Sequence, residues 1–169
     1  MQRPAPRENQ KFLKPDDFIV SKTDSHGKII YGNEIFIQMS GYEAHELSGV
    51  PHSILRHPDM PKCVFKLLWD RIQKKEEIFA FVKNLCKDGS YYWVFTNVTA
   101  TLNHNGSIRD FHSVRRKPSE KALQVIPGIY SQLLAAEQRG GIDASLKLLE
   151  KTLQDNGVTY DQFIFSLQK

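Results

Sequence analysis

The stretch IFAFVKNLCKDGSYYWVFTNVTATLNHNGSIRDFHSVRR, Ile78 to Arg116, decides the fold. It contains three runs rich in β-branched and aromatic residues, Ile78–Cys86, Tyr91–Leu102 and Ile108–Arg116. Between them lie Lys87-Asp88-Gly89-Ser90 and Asn103-His104-Asn105-Gly106, whose Asp-Gly and Asn-Gly steps suit tight hairpin turns. The three runs are expected as an antiparallel meander. Strand side chains alternate between faces, so Phe79, Phe81 and Leu85 share one side of the first run, and Ile78, Ala80, Val82 and Cys86 the other. Both sides are apolar, which calls for cover on both faces of the sheet.

Upstream of the meander, Pro61 suits a first helical turn, Asp59 stands close enough to help cap it, and Phe65, Leu68, Trp69 and Ile72 recur at helical spacing. Earlier still, Tyr42 to Met60 is broken by Gly49, Pro51 and Pro58 into pieces too short for long helices. Asn33 is placed to cap a short helix with Phe36, Ile37 and Met39 on its apolar side, and Gly41 to end it. Two short strands, Phe18–Ser21 and Ile29–Tyr31, flank the turn Asp24-Ser25-His26-Gly27 and read as a hairpin. Residues 1–16 carry three prolines and little apolar period, and are expected as a mobile arm. After Pro118 the pattern is helical to the end, broken at Gly140-Gly141 and Asn156-Gly157. The organisation expected is an arm (1–16), an α+β domain (17–117) and a C-terminal helical output or docking segment (118–169), with fold-back onto the open face of the meander as the alternative for these helices.

Composition narrows the function. With 169 residues, 40% of them hydrophobic, the chain has room for one ordinary domain and some extra helix. No run approaches the ~18 apolar residues of a membrane span, and the N-terminus lacks the apolar core of a signal peptide, so a cytoplasmic protein without direct membrane insertion is expected. The net charge of +4 arises from basic residues scattered among 19 acids, with no basic helix, which argues against nucleic acid as a partner. Cys63 and Cys86 form no CxxC and read as free buried thiols. Paired carboxylates, Ser-His or Cys-His arrangements, phosphate loops and HExxH are all absent, so nothing supports an enzyme.

Several blocks in a fixed order sharpen this reading: SGYEAHELSGVPH (Ser40–His52), RHPDMP (Arg56–Pro61), Trp69, and VKNLCKDGSYYWV (Val82–Val94). Together they resemble the PAS domain of bacterial aerotaxis and energy-taxis receptors, over roughly Asp17 to Leu134. The resemblance implies an α+β PAS fold: a five-stranded antiparallel sheet with short helices on one side and a C-terminal helical extension. It also implies an FAD cofactor and a redox or energy-sensing role in signal transduction. The full receptors carry membrane and methyl-accepting regions, so a membrane-bound chemoreceptor-like transducer is the expected partner, with a homodimer as a further possibility.

The residues can be weighed one by one. Asn84 offers a donor and an acceptor on one amide, matching the alternating polar edge of a flavin, and shares its face with the small Ala80 and Val82. Its ordinary alternative is service to the adjoining turn. It matches the flavin-contacting asparagine of aerotaxis PAS domains and of the light-sensing LOV relatives. Trp69 lies on the apolar stripe of its helix, and the matching tryptophan of the family is associated with FAD retention; plain core packing is the alternative. Arg56 and His57 stand where a cation and free N–H groups can meet a diphosphate, with Asp59 assigned to the helix start. Asn33 and His52 are further candidates, each with a capping or loop role as its alternative.

Departures from the family pattern also matter. The loop HSILRHPD has no cysteine, so light-driven adduct chemistry is not expected. Haem-binding PAS domains take an axial histidine from this region, and His52 or His57 offers one, which keeps a haem gas sensor as an alternative beside a cofactor-free interaction module. The strand at Ile78 and Phe79 lacks a tryptophan found in the best-known relatives.

Overall fold

The computed structural model describes residues 3–169. β1 (Ile19–Asp24) and β2 (Ile29–Gly32) form the expected hairpin. Asp24 holds its turn, accepting the backbone N–H groups of His26 and Lys28 at 2.9 Å each. The helix α1 (Glu34–Ser40) is capped by Asn33, whose Oδ1 accepts from Phe36 N at 3.1 Å, and ends at Gly41. A one-turn helix α2 (Ala44–Leu47) and a 3-10 turn (His52–Leu55) lead to α3 (Lys62–Gln73). The meander follows as β3 (Ile78–Leu85), β4 (Tyr91–Leu102) and β5 (Ile108–Arg116), and the chain closes with α4 (Glu120–Asp155) and α5 (Tyr160–Gln168).

The five strands form one sheet in the order β2-β1-β5-β4-β3, with every neighbouring pair antiparallel. β5 is central because it pairs with β4 on one side and accepts the N-terminal hairpin through β1 on the other. Register sets the two faces. Ser21 and Val98 both lie opposite Ser113, and Thr96 opposite Arg115, so these side chains share the inner face under the short helices and α3. The outer face carries Phe79, Phe81, Trp93 and Phe95.

That outer face explains the C-terminal segment. Of the two roles set out for these helices, the structure shows cover of the sheet: α4 and α5 bury Ala122, Ile126, Tyr130, Leu133, Ile164 and Leu167. Tyr130 donates its hydroxyl to Phe81 O at 2.7 Å and packs 6.0 Å from the Trp93 ring, while Phe165 lies 4.7 Å from the Phe79 ring. The apolar parity of β3 demanded cover, and this segment supplies it. Gly140 and Gly141 leave helical geometry inside α4, so the three expected helical pieces are present.

Two expectations are corrected. The segment 3–16 is not a free arm: it runs beside β4, with Arg7 N bonded to Gly89 O, Tyr91 N to Asn9 O and Lys11 N to Tyr91 O, and it buries Leu13. Its backbone groups satisfy those of the sheet edge region, which outweighs its lack of apolar period. Met1 and Gln2 lie outside the described residues. Asp59 does not cap α3; no side chain caps it at Pro61, and Cys63 N instead donates to Glu137 Oε1 of α4 at 2.8 Å. Both cysteines are free and buried.

Candidate functional site

A cavity of about 250 Å³ lies between α3, the 3-10 turn and the inner face of the sheet. Phe65, Leu68, Trp69 and Ile72 of α3 give it one apolar wall, and Val82, Val98 and Phe111 of the sheet another. Small-molecule sites run to roughly 300–1,000 Å³, so this cavity is at the small end and suits a fused-ring group.

Asn84 is the polar group most clearly aimed at that space. It is 3% exposed and lines the cavity, and its Nδ2 has no hydrogen-bond partner. The Asn84 backbone is bridged to Arg56, so the RHPDMP loop is tied to β3 at this residue. Directly across on β4 stands the fully buried Tyr92, whose hydroxyl neighbours the Asn84 amide and does not line the cavity, so Asn84 Nδ2 is the bare group that faces it. Folded proteins seldom leave such groups bare. A ligand carrying donors and acceptors on one edge satisfies Asn84, and an apolar ligand does not.

Trp69 unites the two roles set out for it. Its ring meets Phe111 edge-on at 5.5 Å and also forms cavity wall. Gly27, at φ +83°, lets the β1–β2 turn approach this ring: a Cβ there would stand 3.1 Å from it. Arg56 lies at the cavity with its guanidinium 3.7 Å over the Phe65 ring, and its buried Nε has no partner.

His57 and Asn33 stand elsewhere. His57 packs edge-on against Tyr91 at 5.7 Å, and its Nδ1 accepts Asp59 N at 3.1 Å. Asp59 in turn pairs with Lys83 Nζ at 2.6 Å. This group belongs to the far side of β3 and does not line the cavity, which separates His57 from Arg56. Asn33 is fully used as a cap and clasp, bonding Val20 N, Phe18 O and Phe36 N. His52 does reach the cavity, stacked on Phe36 at 6.0 Å.

Arg115 is not among the sequence-expected residues. It sits on β5 at 5% exposure, lining the cavity, with Nη1 donating to Ser21 Oγ at 3.0 Å and Nη2 2.7 Å from His52 Nε2. Burial lowers it to about 10, so it stays charged at neutral pH. Burial and then the Arg115 charge hold His52 down at about 3, so the ring is neutral. Its Nε2 is then the acceptor of the Arg115 contact. Strand parity was the available signal: Phe111, Ser113 and Arg115 alternate onto the inner face.

A five-stranded antiparallel sheet in this order, roofed by short helices over a ligand-sized cavity, defines a PAS sensor domain. The family described as the PAS fold matches residues 29–115, and the chain belongs to it. Among individual proteins it is 36% identical over 123 residues to the aerotaxis receptor of Escherichia coli K12, covering 73% of this chain and 24% of the receptor. It thus spans about a quarter of that relative's length. It is also 25% identical over 97 residues to the nitrogen fixation regulatory protein of Klebsiella oxytoca, covering 57% of this chain and 20% of that protein. Among solved structures, a light-oxygen-voltage domain studied with a flavin analogue superposes with TM-score 0.57 at 22% identity, covering 64% of this chain and 82% of that one. The dark-state LOV domain of Aureochrome1 gives TM-score 0.53 at 25% identity, covering 72% and 83%. Among the described residues no helix is long and apolar enough to cross a membrane.

Proposed function

We propose that this chain is a flavin-binding PAS redox sensor, with FAD as the cofactor, working in aerotaxis or energy-taxis signal transduction. The observation that carries the reading is the unpartnered Asn84 amide aimed into a cavity of fused-ring size. The likeness to the aerotaxis receptor supports the signalling context. Asn84 would face the polar edge of the ring, Trp69 would form its apolar wall, and Arg56 would stand where the ribityl-diphosphate chain leaves the cavity. A bound flavin supplies reversible redox chemistry in which a ring acceptor becomes a donor. The residues of the chain do the rest. The Asn84 amide presents either its carbonyl or its NH₂ end, so it reads that change as a reorientation. β3 carries the movement outward, because it is bridged to Arg56 on one side and holds Tyr130 of α4 through Phe81 O on the other.

Output then leaves as a change of protein contacts rather than as a chemical product. The partner in this reading is a membrane-bound chemoreceptor-like transducer, or a second copy of the chain, met on the cytoplasmic side. The haem alternative is disfavoured by two placements. His57 does not line the cavity, and His52 offers its Nε2 to a buried guanidinium, which would stand beside any cation held there.

The test is the absorption spectrum of the purified chain with its cofactor released and identified. Bands near ~450 nm from an FAD that elutes one per chain are the expected result, a property of oxidised flavin itself. A Soret band, or a colourless protein that takes up no added flavin, would refute the reading.

A further inference from the structure

Arg115 poses a charge problem that the protein alone does not solve. Its guanidinium is buried, yet no carboxylate lies within ion-pair distance among the described residues; the ion pairs involve other groups. The groups packed around it are neutral: Ser21 of β1, His52 of the 3-10 turn, Thr96 opposite on β4, the Phe36 ring of α1 at 5.7 Å, and Tyr92 of β4, whose hydroxyl burial keeps protonated. Thr96 itself is engaged with Ser113, at 3.0 Å. Burying a cation without a counter-ion is unfavourable, and such a charge destabilises the empty fold unless something negative comes to meet it. Arg115 lines the cavity, so a ligand can meet it.

We infer that Arg115, held by Ser21 and His52, is the counter-charge of the cavity and takes the ligand edge that is or becomes negative. The inference rests on the flavin reading above and adds its regulation. Two electrons from a donor and one proton turn a neutral oxidised isoalloxazine into a monoanion, whose negative charge lies on the pyrimidine edge. A pocket with a fixed, dry positive charge binds that anionic form more tightly than the neutral one. Bound flavin is therefore easier to reduce than free flavin, and Arg115 sets how much easier.

Two measurements on the full chain test this, with Arg115→Met and Arg115→Lys beside wild type. The first is the equilibrium midpoint potential of bound FAD, titrated with dithionite against a reference dye. Arg115→Met is expected to lose about tenfold or more of the preference for reduced over oxidised flavin, which is a fall of about 30 mV for a two-electron couple. Arg115→Lys, which keeps the charge, should retain much of it. The second is urea unfolding of the ligand-free chains. Arg115→Met should be at least as stable as wild type, because removing an uncompensated buried charge relieves its desolvation. An unchanged potential in Arg115→Met with flavin still bound overturns the inference. So does a ligand-free Arg115→Met chain that unfolds at clearly lower urea than wild type. If wild type binds no flavin, the functional reading fails by itself. The unfolding comparison with no flavin present then still decides whether Arg115 is an unmet charge.

Discussion

Asn84, Arg115 and His52 show how single residues bear cost for a site. Asn84 and Arg115 are buried at the cavity with polar requirements that core packing does not meet, and the half-buried His52 lines it beside them. His52 makes the clearest prediction in pH. Its ordinary value is 6.5 and its folded value about 3, so below pH 6.5 the unfolded chain binds a proton that the folded chain refuses. Stability is full above that range and falls as the pH drops towards 3; by pH 5 this one group accounts for about 2 kcal/mol. His57, held down by burial and then by Lys83, pulls in the same direction. Urea unfolding of ligand-free His52→Gln at pH 7 and pH 5 should show a loss smaller by about 1–2 kcal/mol than wild type. Equal losses in the two proteins would show that His52 is not held neutral. Asn84 was readable from strand parity, and His52 stood among the candidates only as a loop histidine of the SGYEAHELSGVPH block; both line the cavity. Arg115 was not readable, because an arginine beside Arg116 at a strand end looks like solvent-facing charge. His57 misled for the opposite reason: adjacency to Arg56 in sequence places the two side chains on different sides of β3.

At the scale of elements, the contacts that sequence periodicity cannot express are those between distant segments. The meander, the hairpin and the capped α1 follow from local turn and capping chemistry, and they form as expected. The α3 N-terminus does not follow from local chemistry, since its N–H at Cys63 is satisfied by Glu137, 74 residues away, which also accepts from Ser145 Oγ at 3.0 Å. Glu137→Ala should cost about 1 kcal/mol, the usual worth of a lost cap, and Glu137→Gln less, since an acceptor remains. Chemical denaturation of both variants checks the order. The docked N-terminal segment has its own probe. Gly89 stands at φ +85°, and a Cβ there would come within 2.3 Å of Ala5 O. Gly89→Ala is expected to cost about 1–2 kcal/mol from the left-handed turn, and also to lift residues 3–13 off the sheet. Limited proteolysis should then cut within that segment far faster than in wild type, and an unchanged digestion rate would show that the segment is not held at Gly89.

On the scale of the whole molecule, the sheet is a partition between a polar-lined cavity and an aromatic outer layer closed by α4 and α5. Ile126, Leu133, Ile164 and Leu167 are each 5% exposed or less. At roughly 1.5–3 kcal/mol apiece, their burial is of the same order as the entire stability of a domain. A chain truncated after Lys117 should therefore lose cooperative unfolding or precipitate, and a soluble, cooperatively folded fragment would show that these helices are dispensable cover. The need for cover was legible in β3, and the C-terminal helices were a candidate for it beside docking, because amphipathic helices suit a partner and their own sheet equally well. In the proposed function the same partition would carry a signal from Asn84 through β3 to Tyr130. The central claim is that this route begins at a flavin held by Asn84. Titration of FAD into ligand-free wild type and Asn84→Ala, followed by flavin fluorescence, tests it most directly. The account predicts one FAD per wild-type chain, and affinity weakened about tenfold or more in Asn84→Ala, equivalent to about 1.4 kcal/mol, with the unfolding midpoint unchanged. Equal affinity in the two proteins, or no binding to wild type, would contradict it.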